Sequence, residues 1–122
     1  MKQFNINIKD EIGVLARISR LLGEAGINIE AICGETQRGG DAIISLIPNN
    51  IEQTRELFAK NKIDFTEEEV FLIDMENKPG KLGEETQKLA DSGINIFSIL
   101  TVGKTAEKVT YALSVDTNPE AF

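Results

Sequence analysis

The sequence predicts an α+β fold made of two tandem modules, each an antiparallel sheet with its helices packed on one face. Three observations carry this expectation. Short segments alternate apolar and polar residues as half-buried strands do, helical stripes fall between those segments, and the arrangement recurs later in the chain. Sliding the sequence on itself by 67 positions places Gly13-Val14-Leu15 on Gly80-Lys81-Leu82, Leu22 on Leu89, Gly26-Ile27-Asn28-Ile29 on Gly93-Ile94-Asn95-Ile96, and Ile32 on Ile99. The matches concentrate in glycine, in the Ile-Asn-Ile triplet and in leucine, where backbone geometry and packing restrict residue choice most tightly.

In the first repeat, Phe4, Ile6 and Ile8 alternate with polar neighbours and read as a strand. Beyond Asp10-Glu11-Ile12-Gly13, the residues Leu15, Ile18, Leu22 and Ala25 recur at helical spacing, Arg17, Arg20 and Glu24 face elsewhere, and Gly26 supplies a stop. Ile27, Ile29 and Ala31 lead into a second strand reaching about Thr36. Arg38-Gly39-Gly40-Asp41 turns the chain, and Ala42 to Ile47 forms a third, β-branched strand. Pro48-Asn49-Asn50 breaks that strand and offers an N-cap. Ile51 to Lys60 then reads as a second helix with Ile51, Leu57 and Phe58 apolar, and Ile63 to about Thr66 returns as a short strand. The order βαββαβ suits a four-stranded sheet with both helices on one face, since each crossover then buries its apolar stripe.

The second repeat begins the same way. Val70 to Met75 is a strand, Pro79-Gly80 opens a helix to about Ser92, Ile94 to Val102 is a strand, Gly103 to Lys108 a turn and Val109 to Val115 a strand. Position 118 is the counterpart of Ile51, so only Asn118 to Phe122 stand where the second helix and last strand belong. The expected organisation is therefore a complete module over residues 1–68 and an incomplete βαββ module over 69–122, with Glu67-Glu68-Glu69 read as a solvated linker. An incomplete sheet leaves an edge or face for a partner chain, the first module or further residues to cover.

Composition narrows the function. With 13 Lys+Arg against 20 Asp+Glu the net charge is −7, which repels the backbone of nucleic acid and anionic lipid. No run approaches the roughly 20 apolar residues that cross a bilayer, and Met1-Lys2-Gln3-Phe4-Asn5 lacks the apolar stretch of a signal peptide, so a cytoplasmic location is expected. The chain has no histidine and one cysteine, Cys33, which leaves no catalytic dyad, no disulfide and no zinc set. No cofactor or metal is expected, and an enzyme would have to work with Asp, Glu, Lys or Tyr111 alone.

The residues Met75-Glu76-Asn77-Lys78-Pro79-Gly80-Lys81-Leu82, followed by Gly93-Ile94-Asn95-Ile96, resemble the signature of the ACT domain, a small amino-acid-sensing module of biosynthetic enzymes. Asp10-Glu11-Ile12-Gly13-Val14-Leu15 with Gly26-Ile27-Asn28-Ile29 is similar to it too. The resemblance covers essentially the whole chain as two modules, like a stand-alone tandem ACT-domain protein. It implies ferredoxin-like βαββαβ sandwiches that pair side by side or face to face and hold small ligands, usually amino acids, at ACT–ACT interfaces. In the family, ligands meet the loop between the first strand and first helix and the start of the second strand. By position this assigns contacts to Asn77, Pro79, Gly80, Lys81, Leu82, Asn95 and Ile96 in the second module, and to Asp10, Ile12, Gly13, Val14, Asn28 and Ile29 in the first. Ile12 stands where the family usually has proline, Lys81 where it usually has an apolar residue, and Glu85 where the side chain normally faces the sheet.

The chemistry fits a zwitterion. A helix starting near Gly13 or Gly80 presents free N–H groups and the positive end of its dipole to a carboxylate, and glycine lets the ligand come close. Asn77 and Asn95 each donate and accept without changing protonation. Asn28 and Asn95 stand equally well as asparagines bonding the local backbone where a strand begins, and Asp10 reads better as a helix cap than as a partner for an ammonium group. Lys78 and Lys81 are solvated lysines near a helix start unless an anionic ligand engages them. The leading reading is a non-catalytic regulatory protein, a homodimer or larger oligomer, that binds an amino acid and shifts its packing or its affinity for a regulated enzyme. The rival is a protein-interaction or regulatory subunit whose ligand site is vestigial. An RNA-binding sheet of similar topology is disfavoured by the charge and by the lack of paired exposed aromatics. Sedimentation at micromolar concentration is expected to return a dimer or larger species; a monomer contradicts the incomplete-module argument.

Overall fold

Local sequence rules place most of the elements. In the computed structural model, which describes residues 1–36 and 40–116, the order is β1 (Lys2–Lys9), α1 (Val14–Glu24), β2 (Ile29–Thr36), β3 (Asp41–Pro48), α2 (Ile51–Lys60), β4 (Phe65–Glu69), β5 (Phe71–Glu76), α3 (Lys81–Asp91), β6 (Ile96–Lys104) and β7 (Lys108–Val115). The chain divides into two units, Met1–Glu69 and Val70–Phe122. Each has its own antiparallel sheet, β2-β3-β1-β4 in the first and β5-β7-β6 in the second. The architecture is α+β, as expected. The predicted turn at 38–41 falls partly, and residues 118–122 wholly, outside the described residues.

In unit 1 the register opposes Phe4 to Leu46 and Ile6 to Ile44, putting all four on one face of the sheet. Ile18 and Leu22 of α1 and Phe58 of α2 are buried in the same cluster, so both helices cover that face. Three rings fix its centre: Phe4 and Phe58 meet edge to face at 5.9 Å, and Phe65 lies 5.4 Å from Phe4 and 5.7 Å from Phe58. The limits of α2 match the sequence reading because Asn50 Oδ1 accepts from the Gln53 N–H at 3.0 Å, an N-cap bond.

Several readings are corrected. Leu15 is exposed; the buried stripe of α1 is Val14, Ile18 and Leu22, whose four-residue spacing keeps them on one side, and Ala25 is the C-cap. Pro48 does not break β3 but ends it, paired with Ile29. The last strand of unit 1 begins at Phe65, and the acidic run is strand, not linker: Glu67, Glu68 and Glu69 of β4 pair with Phe4, Gln3 and Lys2 of β1. Its charge is met from outside the segment. Arg55 donates from Nε and Nη2 to the two oxygens of Glu67 at 2.8 and 2.7 Å, and Lys2 Nζ lies 3.1 Å from Glu69. Those bonds hold the Glu67 and Glu69 carboxyls below the ordinary glutamate range.

Unit 2 repeats β1-α1-β2-β3 as β5-α3-β6-β7, with Met75 opposite Val109 and Ile73 opposite Tyr111. Its covering is thinner. No residue of α3 is buried, and Ile73, Met75, Leu89 and Ile94 line an open cleft of about 270 Å³. One outer strand of each sheet is irregular: β2 shifts register between Ile29 and Ala31, and β6 between Ile96 and Ser98 and again between Thr101 and Gly103, whereas β4 and β5 pair in unbroken register. Among the described residues no helix is long and apolar enough to cross a membrane. Phe58→Ala is expected to cost unit 1 about 3–5 kcal/mol in urea denaturation, since it empties the centre of the three-ring cluster; a loss under about 1 kcal/mol contradicts that placement.

Candidate functional site

Each repeat turns from its first strand into its helix through one glycine. Gly13 at φ 87° and Gly80 at φ 84° occupy the left-handed region that glycine adopts freely, and each is the N-cap of its helix with no side chain to cap it. The consequence is a set of unpaired donors. Val14 N–H reaches Glu11 O and Arg17 N–H reaches Gly13 O, while Lys81 N–H reaches Lys78 O and Glu84 N–H reaches Gly80 O. The N–H groups between them, on Leu15 and Ala16 and on Leu82 and Gly83, have no protein acceptor among the described residues. A Cβ built on Gly13 or Gly80 meets nothing within 4 Å, so both bends are open. Donors, an aligned helix dipole and space together suit a carboxylate.

The remaining loop residues differ between repeats. Asp10 is exposed and does not cap α1, because Gly13 occupies that place. Ile12 is fully exposed, whereas Val14 is buried in the core and offers only its backbone. Asn77 is already engaged: its Nδ2 donates to Thr105 O at 2.8 Å and its backbone N–H to Glu107 O at 2.9 Å, which braces the turn between β6 and β7. Lys81 is folded along its own helix, with Nζ 3.1 Å from Glu85 and 3.6 Å from Glu84. The hydrogen bond to Glu85 raises the Lys81 ammonium above the usual lysine range, and Lys81 and then Lys88 lower the Glu85 carboxyl. Glu85 is thus accommodated by two lysines on the helix.

At the start of β2 and β6 a reciprocal latch recurs. Asn28 N–H donates to Asn49 Oδ1 at 2.9 Å while Asn49 N–H donates to Asn28 O at 3.0 Å. Asn95 and Asp116, 67 positions on, repeat it at 3.0 and 3.1 Å. The backbones of Asn28 and Asn95 are engaged, but their exposed side-chain amides have no hydrogen-bond partner among the described residues. Ile29 and Ile96 beside them are half-buried.

The two groups of residues do not meet within a module. Glu76 pairs with Lys108 at the bend end of unit 2, whereas Ile96 pairs with Val115 at the other end. In unit 1, Lys9 pairs with Asp41 and Ile29 with Pro48 in the same opposition. The 11 residues of α1 or α3 run between the two ends. Apart from Leu82, assigned as a ligand contact, sequence reasoning passed over a further group of exposed apolar positions. Leu15 and Leu82 are 49% and 39% exposed, Ile32 and Ile99 45% and 40%, and Phe97 lies beside the latter. The signal was present, since the repeat superposes Leu15 on Leu82 and Ile32 on Ile99.

Residues 2–60 match the model of the ACT domain family. No curated protein matches the chain in sequence. Among solved structures, a protein from Bacteroides thetaiotaomicron is similar at 19% identity and a TM-score of 0.85, over 95% of this chain and 79% of that one. The ligand-free regulatory subunit of aspartate kinase from Thermus thermophilus follows at 15% identity and 0.72, over 93% and 82%. E. coli aspartokinase III, solved in complex with lysine and aspartate, is similar at 16% and 0.54, with 93% of this chain matching 27% of that longer one. These likenesses establish the fold.

Two neighbouring glycines test the bend. Gly80→Ala is expected to destabilise unit 2 by roughly 1–2 kcal/mol, because alanine resists the left-handed region. Gly83→Ala, inside α3, is expected to stabilise it by about 0.5–1 kcal/mol. Equal effects in urea denaturation refute the assignment of strain to the bend.

Proposed function

We propose that the chain is a non-catalytic regulatory protein built of tandem ACT modules, which binds an amino acid between a module of one copy and a module of another. The observation that carries this reading is the pair of open bends, each with two unpaired helix N–H groups next to a glycine on which a Cβ would meet nothing within 4 Å. The bends supply donors for a carboxylate; the uncommitted amides of Asn28 and Asn95 supply an acceptor for an ammonium group. Because they lie at opposite ends of one module, only a second, inverted module brings the two sets to one ligand. The exposed Leu15, Ile32, Leu82 and Ile99 are the apolar surface such pairing would cover. The amino-acid class is supported by the aspartokinase likeness, where the solved complex holds lysine and aspartate. Regulation then follows from linkage: a ligand that binds only the paired arrangement stabilises it over the other.

The second reading, an interaction subunit with a vestigial ligand site, is favoured by the engagement of Asn77 with Thr105. Thermal melting in the presence of each of the twenty amino acids at millimolar concentration separates the two. A ligand at 100 times its dissociation constant adds about 2.7 kcal/mol of stability, so one or a few amino acids are expected to raise the melting temperature. The double variant Asn28→Ala, Asn95→Ala is expected to melt as the parent does and to lose that response. If no amino acid moves the parent's transition, the sensor reading fails.

A further inference from the structure

We propose a second ligand site in unit 1, for a small dianion such as a phosphate monoester or a dicarboxylate, in the cleft between α1, the end of β1 and the turn from α2 to β4. Two adjoining clefts of about 280 and 240 Å³ lie there, sharing Arg17, Asn61 and Ile63. Lys9, Arg17, Arg20 and Lys62 line them, against the carboxylates of Glu24 and Asp64. In a chain of net charge −7, this is a local excess of positive charge on a concave surface. None of these residues belongs to the loop and strand positions assigned to the amino acid.

Among the described residues, the ion pairs of the unit leave the cations of the cluster out, as they do Lys60. Lys2 and Arg55 are bound to Glu69, and to Glu52 and Glu67. Lys9, Arg17, Arg20 and Lys62 make no ion pair among the described residues. Carboxylates are abundant, yet the four cations along the two adjoining clefts form no ion pair among the described residues. Arginine pairs of this kind suit planar or tetrahedral oxyanions because the guanidinium donates through two parallel N–H groups.

The second repeat is an internal control. Glu76, Glu84 and Gln87 stand 67 positions after Lys9, Arg17 and Arg20, so the same strand and helix form with the charge neutralised or reversed. The fold does not require these cations. Lys62 adds a second sign, for it lines the cleft while holding φ 55°, a conformation glycine or asparagine adopts at lower cost.

The test uses the full chain, with inorganic phosphate and succinate as separate probes in calorimetric titration at about 0.15 M ionic strength, where long-range attraction is screened. Saturable binding of one phosphate or one succinate per copy is expected; phosphate alone points to a phosphate monoester, succinate alone to a dicarboxylate. Arg17→Glu with Arg20→Gln copies residues the second repeat already carries, and Lys62→Gly relieves the left-handed backbone, so both variants are expected to fold. Each is expected to weaken the preferred probe at least about tenfold, with the amino-acid response of the melting temperature retained. Absence of saturable binding by either probe, or equal affinity in parent and both folded variants, overturns the proposal.

Discussion

The length of one helix governs what this molecule can do. An 11-residue helix rises about 16 Å, and in each unit such a helix separates the open glycine bend from the strand that carries the free asparagine amide. A free amino acid is far shorter than that. On the proposed reading, donors for its carboxylate and acceptors for its ammonium group therefore reach it together only where a second module lies inverted against the first. On that reading, ligand capture and association of copies are one equilibrium, and each favours the other to the same extent. The exposed leucines and isoleucines at matched positions of the two repeats have the same logic, since bare apolar side chains on an otherwise polar surface favour the associated state.

Much of the fold was legible because its signals are local. The limits of α2 follow from Asn50 and its bond to Gln53, and the repeat foretold that the order of β1, α1, β2 and β3 recurs as β5, α3, β6 and β7. What was illegible depends on partners distant in sequence. Three consecutive glutamates resemble a solvated link until Arg55 and Lys2 arrive from other elements to neutralise them within a strand. Leu15 has the spacing of a core residue, but the helix turns its stripe toward Val14, Ile18 and Leu22 instead. The bends were visible as glycines; that Asn77 spends its donor on Thr105, 28 positions away, was not. The opposition of the two half-sites required the strand register, which no single segment encodes.

The repeats have kept a backbone and parted in surface chemistry. Helix α3 balances its own charge, with Glu85 held between Lys81 and Lys88, whereas α1 leaves Arg17 and Arg20 unmatched beside a cleft. The latch shows the same divergence on a smaller scale, an amide at Asn49 and a carboxylate at Asp116 performing one structural task. Conserved geometry with altered charge is what specialisation of two linked copies looks like in a single chain.

The irregular outer strands carry a last consequence. Successive shifts along β6 divide it into short runs, Ser98 to Thr101 and Gly103 to Lys104, and β2 is shifted near its beginning. Such breaks increase local twist and interrupt the row of main-chain groups that another strand would bond. Polymerisation by endless strand addition, the route to cross-β fibrils, meets a poor template there, while closed assemblies held by side chains are unaffected.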